Sequence, residues 1–215
     1  MIWGTRTAFR IGIIVVGSTI VIGVTLGSIA GYYGGWIDEA IMRLVDVVIA
    51  FPAIILAIVI ATLFGQNLTM VMAALVIAWW PYPARLIRGE ILSVREEDYV
   101  EAARAIGGSD FRIITRHVLP NSIYPVIVMG TLDMGAMVIT AAALSFLGLG
   151  APVGFADWGG LLNLARNWIV ATTGAPFKYW YTHIFPGIFI FLYVLGWMLL
   201  SDAFRDIMDP RIRRR

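Results

Sequence analysis

An all-α membrane protein is the fold class this sequence predicts, and three observations predict it. Of 215 residues, 60% are hydrophobic and 14% charged, and the mean hydropathy is +0.83, too little polar surface for a water-soluble domain of this size. Several apolar runs reach the roughly 20 residues that cross a hydrocarbon core. None of them alternates as a barrel strand does, and a helix satisfies its own backbone groups in lipid.

Five spans are expected. The first runs from about Ala8 to Gly31; it is longer than the apolar core of a signal peptide and has no clear cleavage site before Gly34-Gly35, so it stays in the protein. Within it Gly23, Gly27 and Gly31 recur every four residues, lining one face on which another helix can approach closely. The second span runs from about Val45 to Phe64 and the third from about Leu68 to Ile87; Pro52 in one and Pro81 with Pro83 in the other should kink or interrupt them. Such breaks fit a transport pathway and plain packing equally. The fourth span covers about Ile123 to Leu147, the fifth about Ile184 to Leu200.

Between the third and fourth spans lies a polar island, residues 96–121. Acids at Glu96, Glu97 and Asp98 suit a helix amino terminus. Val100, Ala103 and Ile106, with Tyr99 and Ala102 beside them, form a small apolar face, while Glu97, Glu101 and Arg104 lie near the other. Gly107-Gly108 ends that helix, Ser109 caps a second one starting at Asp110, and Pro120 marks its end. Small alanines on a short exposed helix let a partner groove close around the backbone, and Glu101 with the flanking arginines can fix the register.

Orientation follows from the basic residues. With the island in the cytoplasm, 12 of the 16 Lys and Arg lie inside (Arg43, Arg85, Arg88, Arg95, Arg104, Arg112, Arg116, Arg205, Arg211, Arg213, Arg214 and Arg215), against Arg6, Arg10, Arg166 and Lys178 outside. That bias puts the amino terminus outside and the carboxyl terminus inside. An outside start with few residues before the first span is awkward to insert, so a further helix preceding Met1 is expected. The Arg211–Arg215 cluster anchors the topology and can touch anionic lipid. Tyr32, Tyr33 and Trp36, then Trp79 and Trp80, then Tyr179, Trp180 and Tyr181, read as interfacial belts.

Asp133 is the only acid well inside a span. It either lines a pathway or hydrogen-bonds a neighbouring helix. Asp46 follows Arg43 by three positions, which predicts a local ion pair. Residues 149–182 form a loop on the outer side, with Trp158, Arg166 and Trp168 suited to contact a binding protein, close a pathway or fold as a re-entrant helix.

Several function classes are excluded or weakened. A phosphate-binding loop needs a lysine after glycine, but the sole lysine, Lys178, follows Phe177, so any nucleotide contact belongs to another chain. Cysteine is absent and the two histidines, His117 and His183, fall on opposite sides of the membrane, so a metal enzyme is not expected. A membrane-embedded enzyme would need a nucleophile or metal constellation at span depth and none stands out, so the expectation is a non-enzyme without a cofactor. A secondary transporter would place coupling acids at broken helices, often within a repeat; Asp133 alone is thin support and no repeat is visible.

Glu101-Ala102-Ala103, Gly107, Leu119 and Pro120 match the spacing of the EAA signature, and with it the chain resembles ABC importer permeases. More narrowly it resembles their dipeptide, oligopeptide and nickel C-type subfamily, on stretches spread over nearly the whole length. These are Ala30-Gly31-Tyr32-Tyr33-Gly34-Gly35 with Asp38, then Arg43, Asp46, Phe51 and Pro52. Further ones are Arg116 to Asn121, Leu144 to Gly150, Trp158-Gly159, Arg205-Asp206 and Asp209-Pro210-Arg211. His117 replaces the isoleucine of the general signature and is normal for the subfamily, which makes it structural. Ala141 stands where many relatives carry a glutamate, so no role for such a carboxylate carries over.

The resemblance implies a type I importer transmembrane domain (MetI-like), with an additional helix before the segment at Gly4. It implies a multi-pass permease of the cytoplasmic (inner) membrane that forms the pathway with a second, homologous permease. Two ATPase subunits, a homodimer or two different chains, would hydrolyse ATP, and an extracytoplasmic binding protein would deliver substrate. Membrane lipid is the remaining partner; nucleic acid is not one. ATPase coupling would fall to Tyr99, Glu101, Ala102, Ala103, Ala105, Gly107, Leu119 and Pro120, while Asp133 would belong to the pathway. Peptides are the expected substrate class, with nickel or oligosaccharides as alternatives.

Overall fold

The computed structural model describes residues 1–65, 67–152, 154–170 and 178–208. Among them the chain is a bundle of helices without strands. The first helix, α1 (Ile2–Tyr33), is followed by α2 (Gly35–Ile49), α3 (Ala53–Phe64), α4 (Leu68–Trp79) and α5 (Pro81–Val94). Short helices α6 (Asp98–Ala105) and α7 (Asp110–Ile113), a π turn (Ile114–Val118) and α8 (Leu119–Ser122) make up the polar island. The long α9 (Tyr124–Phe146), then α10 (Trp158–Val170) and α11 (Tyr181–Met208), complete the order.

Four stretches are long and apolar enough to cross a membrane, and α2 with α3 makes a fifth if that bent pair is one span. The expected second span is thus two helices that meet at 83° around Ala50–Pro52. Pro52 is the reason: it cannot donate to the ladder, and it takes an extended ψ of 122° at the start of α3. Its predecessor α2 is amphipathic rather than apolar throughout, with Asp38, Glu39, Arg43 and Asp46 along it. The third span behaves otherwise. Pro81 and Pro83 lie in the first turn of α5, where missing N–H groups cost little, and Leu68–Val94 runs on as one 27-residue span.

The central helix pair is α1 against α5. A Cβ placed on Gly27 would lie 2.3 Å from the Ala84 carbonyl oxygen, one on Gly23 2.8 Å from the Trp80 carbonyl oxygen, and one on Gly31 3.0 Å from that of Arg88. The four-residue glycine stripe therefore puts the two backbones in contact, with Pro83, Ala84, Ile87 and Ile91 filling the seam. On its other side α1 packs on α9, where Ile20 sits over Gly130 and Met134 over Gly12. Val15, Leu75, Met137 and Leu144 form the core of that half.

Polar contacts pin the periphery to this centre. Asp38 of α2 and Arg88 of α5 form a two-pronged pair in which Nε and Nη2 donate to separate carboxylate oxygens. Asp46 pairs with Arg85, and Arg43 lies 3.8 Å from Glu39, so the expected Arg43–Asp46 pair does not form. A guanidinium on the neighbouring helix points straight at Asp46, which sequence spacing alone does not reveal. At the opposite end Asp157 caps α10 by accepting from the Gly160 and Gly159 amides, and Trp158 donates to the Met1 carbonyl at 3.1 Å. Residues 171–177 of the expected outer loop, and 209–215 with the terminal arginines, lie outside the described residues.

Gly27→Leu should force α1 and α5 apart and lower the stability of the detergent-solubilised protein by about 1–3 kcal/mol. Gly17→Leu, at an exposed position of α1 with no atom within 4 Å, should change it little; equal midpoints for both variants in thermal unfolding would show that the seam does not depend on backbone contact.

Candidate functional site

The polar island folds against the Tyr33 end of α1 and the Val94 end of α5. Val100 and Ala103 on α6, Ile113 on α7 and Val118 in the π turn are buried in a cluster with Val24, Tyr32, Ile87, Ile91 and Val126. Their spacing makes one apolar stripe over two helices that are otherwise polar, so burial of that stripe holds the island on the bundle.

Between α6 and α7 the chain turns through a Schellman motif. The Gly108 amide donates to the Ala103 carbonyl at 3.1 Å and the Gly107 amide to that of Arg104 at 3.0 Å. Gly107 has φ +82°, a conformation glycine takes without strain, and a Cβ on Gly108 would meet the Ala103 carbonyl oxygen at 2.7 Å. The two glycines are thus required for different reasons. Ser109 occupies the cap position of α7, but its hydroxyl makes no capping bond; its carbonyl accepts from the Ile113 amide instead.

Pro120 does not end the second helix, contrary to expectation. It lacks the N–H that would reach the Arg116 carbonyl, and the helix widens just before it into the π turn, where the Leu119 amide donates to Ile114. The chain stays helical into α8, where Asn121 Nδ2 donates to the His117 carbonyl and Ser122 Oγ to that of Val118. The His117 ring is half-buried.

The outward face is apolar where a water-facing loop would be polar. Ile106 is 87% exposed and Phe111 78%, with Tyr99, Ala102 and Ala105 exposed beside them and Glu101, Arg104 and Arg112 around the edge. The expected position of Ile106 on the buried stripe is corrected: it is the C-cap residue of α6, with φ −81° and ψ 8°, and leaves the helical register there. Of the eight island residues singled out from sequence, Tyr99, Glu101, Ala102, Ala105 and Pro120 face outward, Ala103 is buried, Leu119 packs partly on the cluster beneath, and Gly107 makes the turn. Sequence reasoning missed Phe111 as part of the exposed crown.

Tyr32 is a second correction. Read as a belt aromatic, it is buried, its hydroxyl donates to Asp110 Oδ1 at 2.9 Å, and the Arg104 guanidinium sits 5.9 Å above its ring. Trp80 is likewise buried, against Val45 and Ala84, whereas Tyr33, Trp36, Trp180 and Tyr181 are exposed as belt residues are.

Asp133 lies apart from the island, near the middle of α9 and on the stripe that carries Val126, Met137 and Leu144. It is half-buried, and among the described residues no side chain pairs with it. Among those residues no group of three or more His, Asp or Glu is placed to hold a metal ion.

The geometry is thus that of a multi-span helical membrane bundle of about five apolar spans, carrying an amphipathic helical island between the third and fourth. Residues 23–214 match the family of binding-protein-dependent transport system inner membrane components, and the chain belongs to that family. It is 42% identical over 213 residues to the dipeptide transport system permease protein DppC of Alkalihalophilus pseudofirmus, covering 99% of this chain and 68% of that protein. It is 43% identical over 213 residues to the glutathione transport system permease protein GsiD of Pectobacterium atrosepticum, again covering 99% and 68%. Among solved structures, the inward-facing MetNI methionine ABC transporter in its CY5 native crystal form superposes with a TM-score of 0.72 at 16% identity, over 97% of this chain and 96% of that one. The fold is therefore that of MetI-type importer permeases.

Gly107→Ala should cost about 1 kcal/mol through its positive φ and loosen the α6–α7 turn. Limited proteolysis of the membrane-embedded protein should then cut faster between Arg104 and Arg112, and an unchanged rate would show that the turn tolerates a side chain.

Proposed function

We propose that this chain is the membrane-spanning subunit of an ATP-driven ABC importer for di- or oligopeptides. It forms the translocation pathway with a second homologous permease, and its island, facing the cytoplasm, docks into a cleft of a partner ATPase. The observation that carries the docking reading is the exposed pair Ile106 and Phe111 above a buried anchor of Val100, Ala103, Ile113 and Val118. Large apolar side chains held out at the surface by a folded scaffold are the form of a contact site, and the ring of Glu101, Arg104 and Arg112 supplies its polar rim.

Relatives named for dipeptide and glutathione transport support a peptide as cargo. ATP hydrolysis is the partner's reaction. Closure of the ATPase pair draws the two islands together and turns the pathway outward, where an extracytoplasmic binding protein delivers substrate to the 149–182 side. Asp133, with no side-chain partner among the described residues, is proposed to line that pathway, and Asp133→Asn should lower peptide uptake while leaving ATPase binding intact; uptake equal to wild type would remove it from the pathway.

Ile106→Asp and Glu101→Arg both leave the bundle untouched, so the permease should reach the membrane in normal amount. Each should weaken co-purification of the ATPase by about tenfold or more, as expected for central interface residues, and abolish uptake in proteoliposomes. Wild-type ATPase binding and uptake in both variants would refute the docking reading.

A further inference from the structure

We infer that Tyr32 is a positioning residue for coupling: it is the link through which displacement of the α6–α7 island moves α1 and α5 as one body. The inference rests on the docking reading above and adds to it the path by which the island's motion enters the membrane.

Apart from the backbone that enters it from α5 and leaves it through α8 into α9, the island meets the bundle through two kinds of contact. The apolar stripe of Val100, Ala103, Ile113 and Val118 is non-directional, and such a surface resists separation far more than it resists sliding. Directional resistance needs a hydrogen bond. The 2.9 Å bond from Tyr32 Oη to Asp110 Oδ1 joins α7 to a membrane-spanning helix. Arg104, on the preceding helix, lies over the same ring, so both helices of the island bear on one side chain. The ring itself is buried in the apolar cluster beside Ile87 and Ile91, which prevents it from swinging aside.

What lies behind Tyr32 decides where a push goes. Arg95, just past α5, donates through Nη1 to the Gly31 carbonyl at 2.8 Å and more weakly to that of Tyr32 at 3.4 Å, capping the carboxyl end of α1 with a cation. Gly31 packs directly against the Arg88 carbonyl and Ile91. Beyond the break at Gly34, Asp38 of α2 grips Arg88 through two hydrogen bonds. The end of α1 is thus locked to α5 and α2, and a load applied at Asp110 passes to all three helices without a soft joint.

The test uses the complete transporter, with both permeases, its ATPase subunits and binding protein, in proteoliposomes. Uptake per ATP hydrolysed is measured for Tyr32→Phe, which removes only the hydroxyl, and for Asp110→Ala, at an exposed position of the island, with the amount of permease in the membrane measured alongside. Both should keep the ATPase bound and hydrolysing while uptake per ATP falls by about three- to tenfold, the range one hydrogen bond commonly carries. The double variant should be no worse than either single, and Asp110→Asn, whose amide oxygen still accepts, should restore most of the coupling. Normal uptake per ATP in Tyr32→Phe, additive losses in the double variant, or an Asp110→Asn defect as large as that of Asp110→Ala would each overturn the inference. Failure of the docking reading would look different: ATPase would remain bound to Ile106→Asp.

Discussion

The structure depends on the contact between the α1 and α5 backbones. In lipid no hydrophobic force drives one apolar helix onto another, so association relies on close van der Waals packing, and that requires side chains small enough to disappear. Gly23, Gly27 and Gly31 meet this requirement on three successive turns, each against a carbonyl or side chain of α5. The α2 helix, α9 and the island attach to this pair, whereas α3 packs on α4, and α10 and α11 pack on α9 and on each other. The α2 helix is joined to the pair through Arg88 and α9 through Gly130, while the island rests on Ile87 and Ile91 at its end.

The island resolves a conflict between staying attached and staying available. A helix of eight residues has little stability alone, so α6 must bury something, and it buries Val100 and Ala103. If Ile106 and Phe111 were buried as well, no apolar surface would be left for a partner. The Gly107-Gly108 turn separates the two demands. It ends α6 before the stripe can continue, turns Ile106 outward, and starts α7 so that Ile113 returns to the cluster while Phe111 does not.

Features governed by local periodicity were legible in the sequence. The spans, the glycine stripe and the turn at Gly107-Gly108 all follow from spacing along one helix or from a residue's own backbone preference. Features governed by a distant partner were not. Asp46 stands near Arg43 in sequence yet pairs with Arg85, and Tyr32 reads as one of three interfacial aromatics until Asp110, 78 positions later, is folded over it. Proline gave mixed signals for a related reason. Pro52 takes an extended ψ at the cap position of α3 and parts it from α2, Pro81 and Pro83 take helical positions in the first turn of α5 and leave the span unbroken, and the sequence shows the residue without the register. At the island, the spacing of Glu101, Gly107 and Pro120 marked the place, but the exposed crown was half hidden because helical projection put Ile106 on the wrong side.

The bundle is also asymmetric, and the asymmetry bears on how it moves. Helix α11 buries Pro186, Tyr193 and Ser201 but leaves Phe191, Leu192, Met198 and Leu199 exposed, and α3 likewise exposes Ile54, Ile55, Leu63 and Phe64. These outer helices carry apolar surface for lipid or a second subunit to cover. The island sits at the end of α1 and α5, whose seam holds backbone against backbone with Pro83, Ala84, Ile87 and Ile91 filling it. A load entering there meets this closely packed pair directly, and it also reaches α9, into which the island continues through α8. Close packing at the centre and loose apolar surface at the rim are therefore the arrangement expected when a push from outside the membrane must move a rigid core against compliant surroundings.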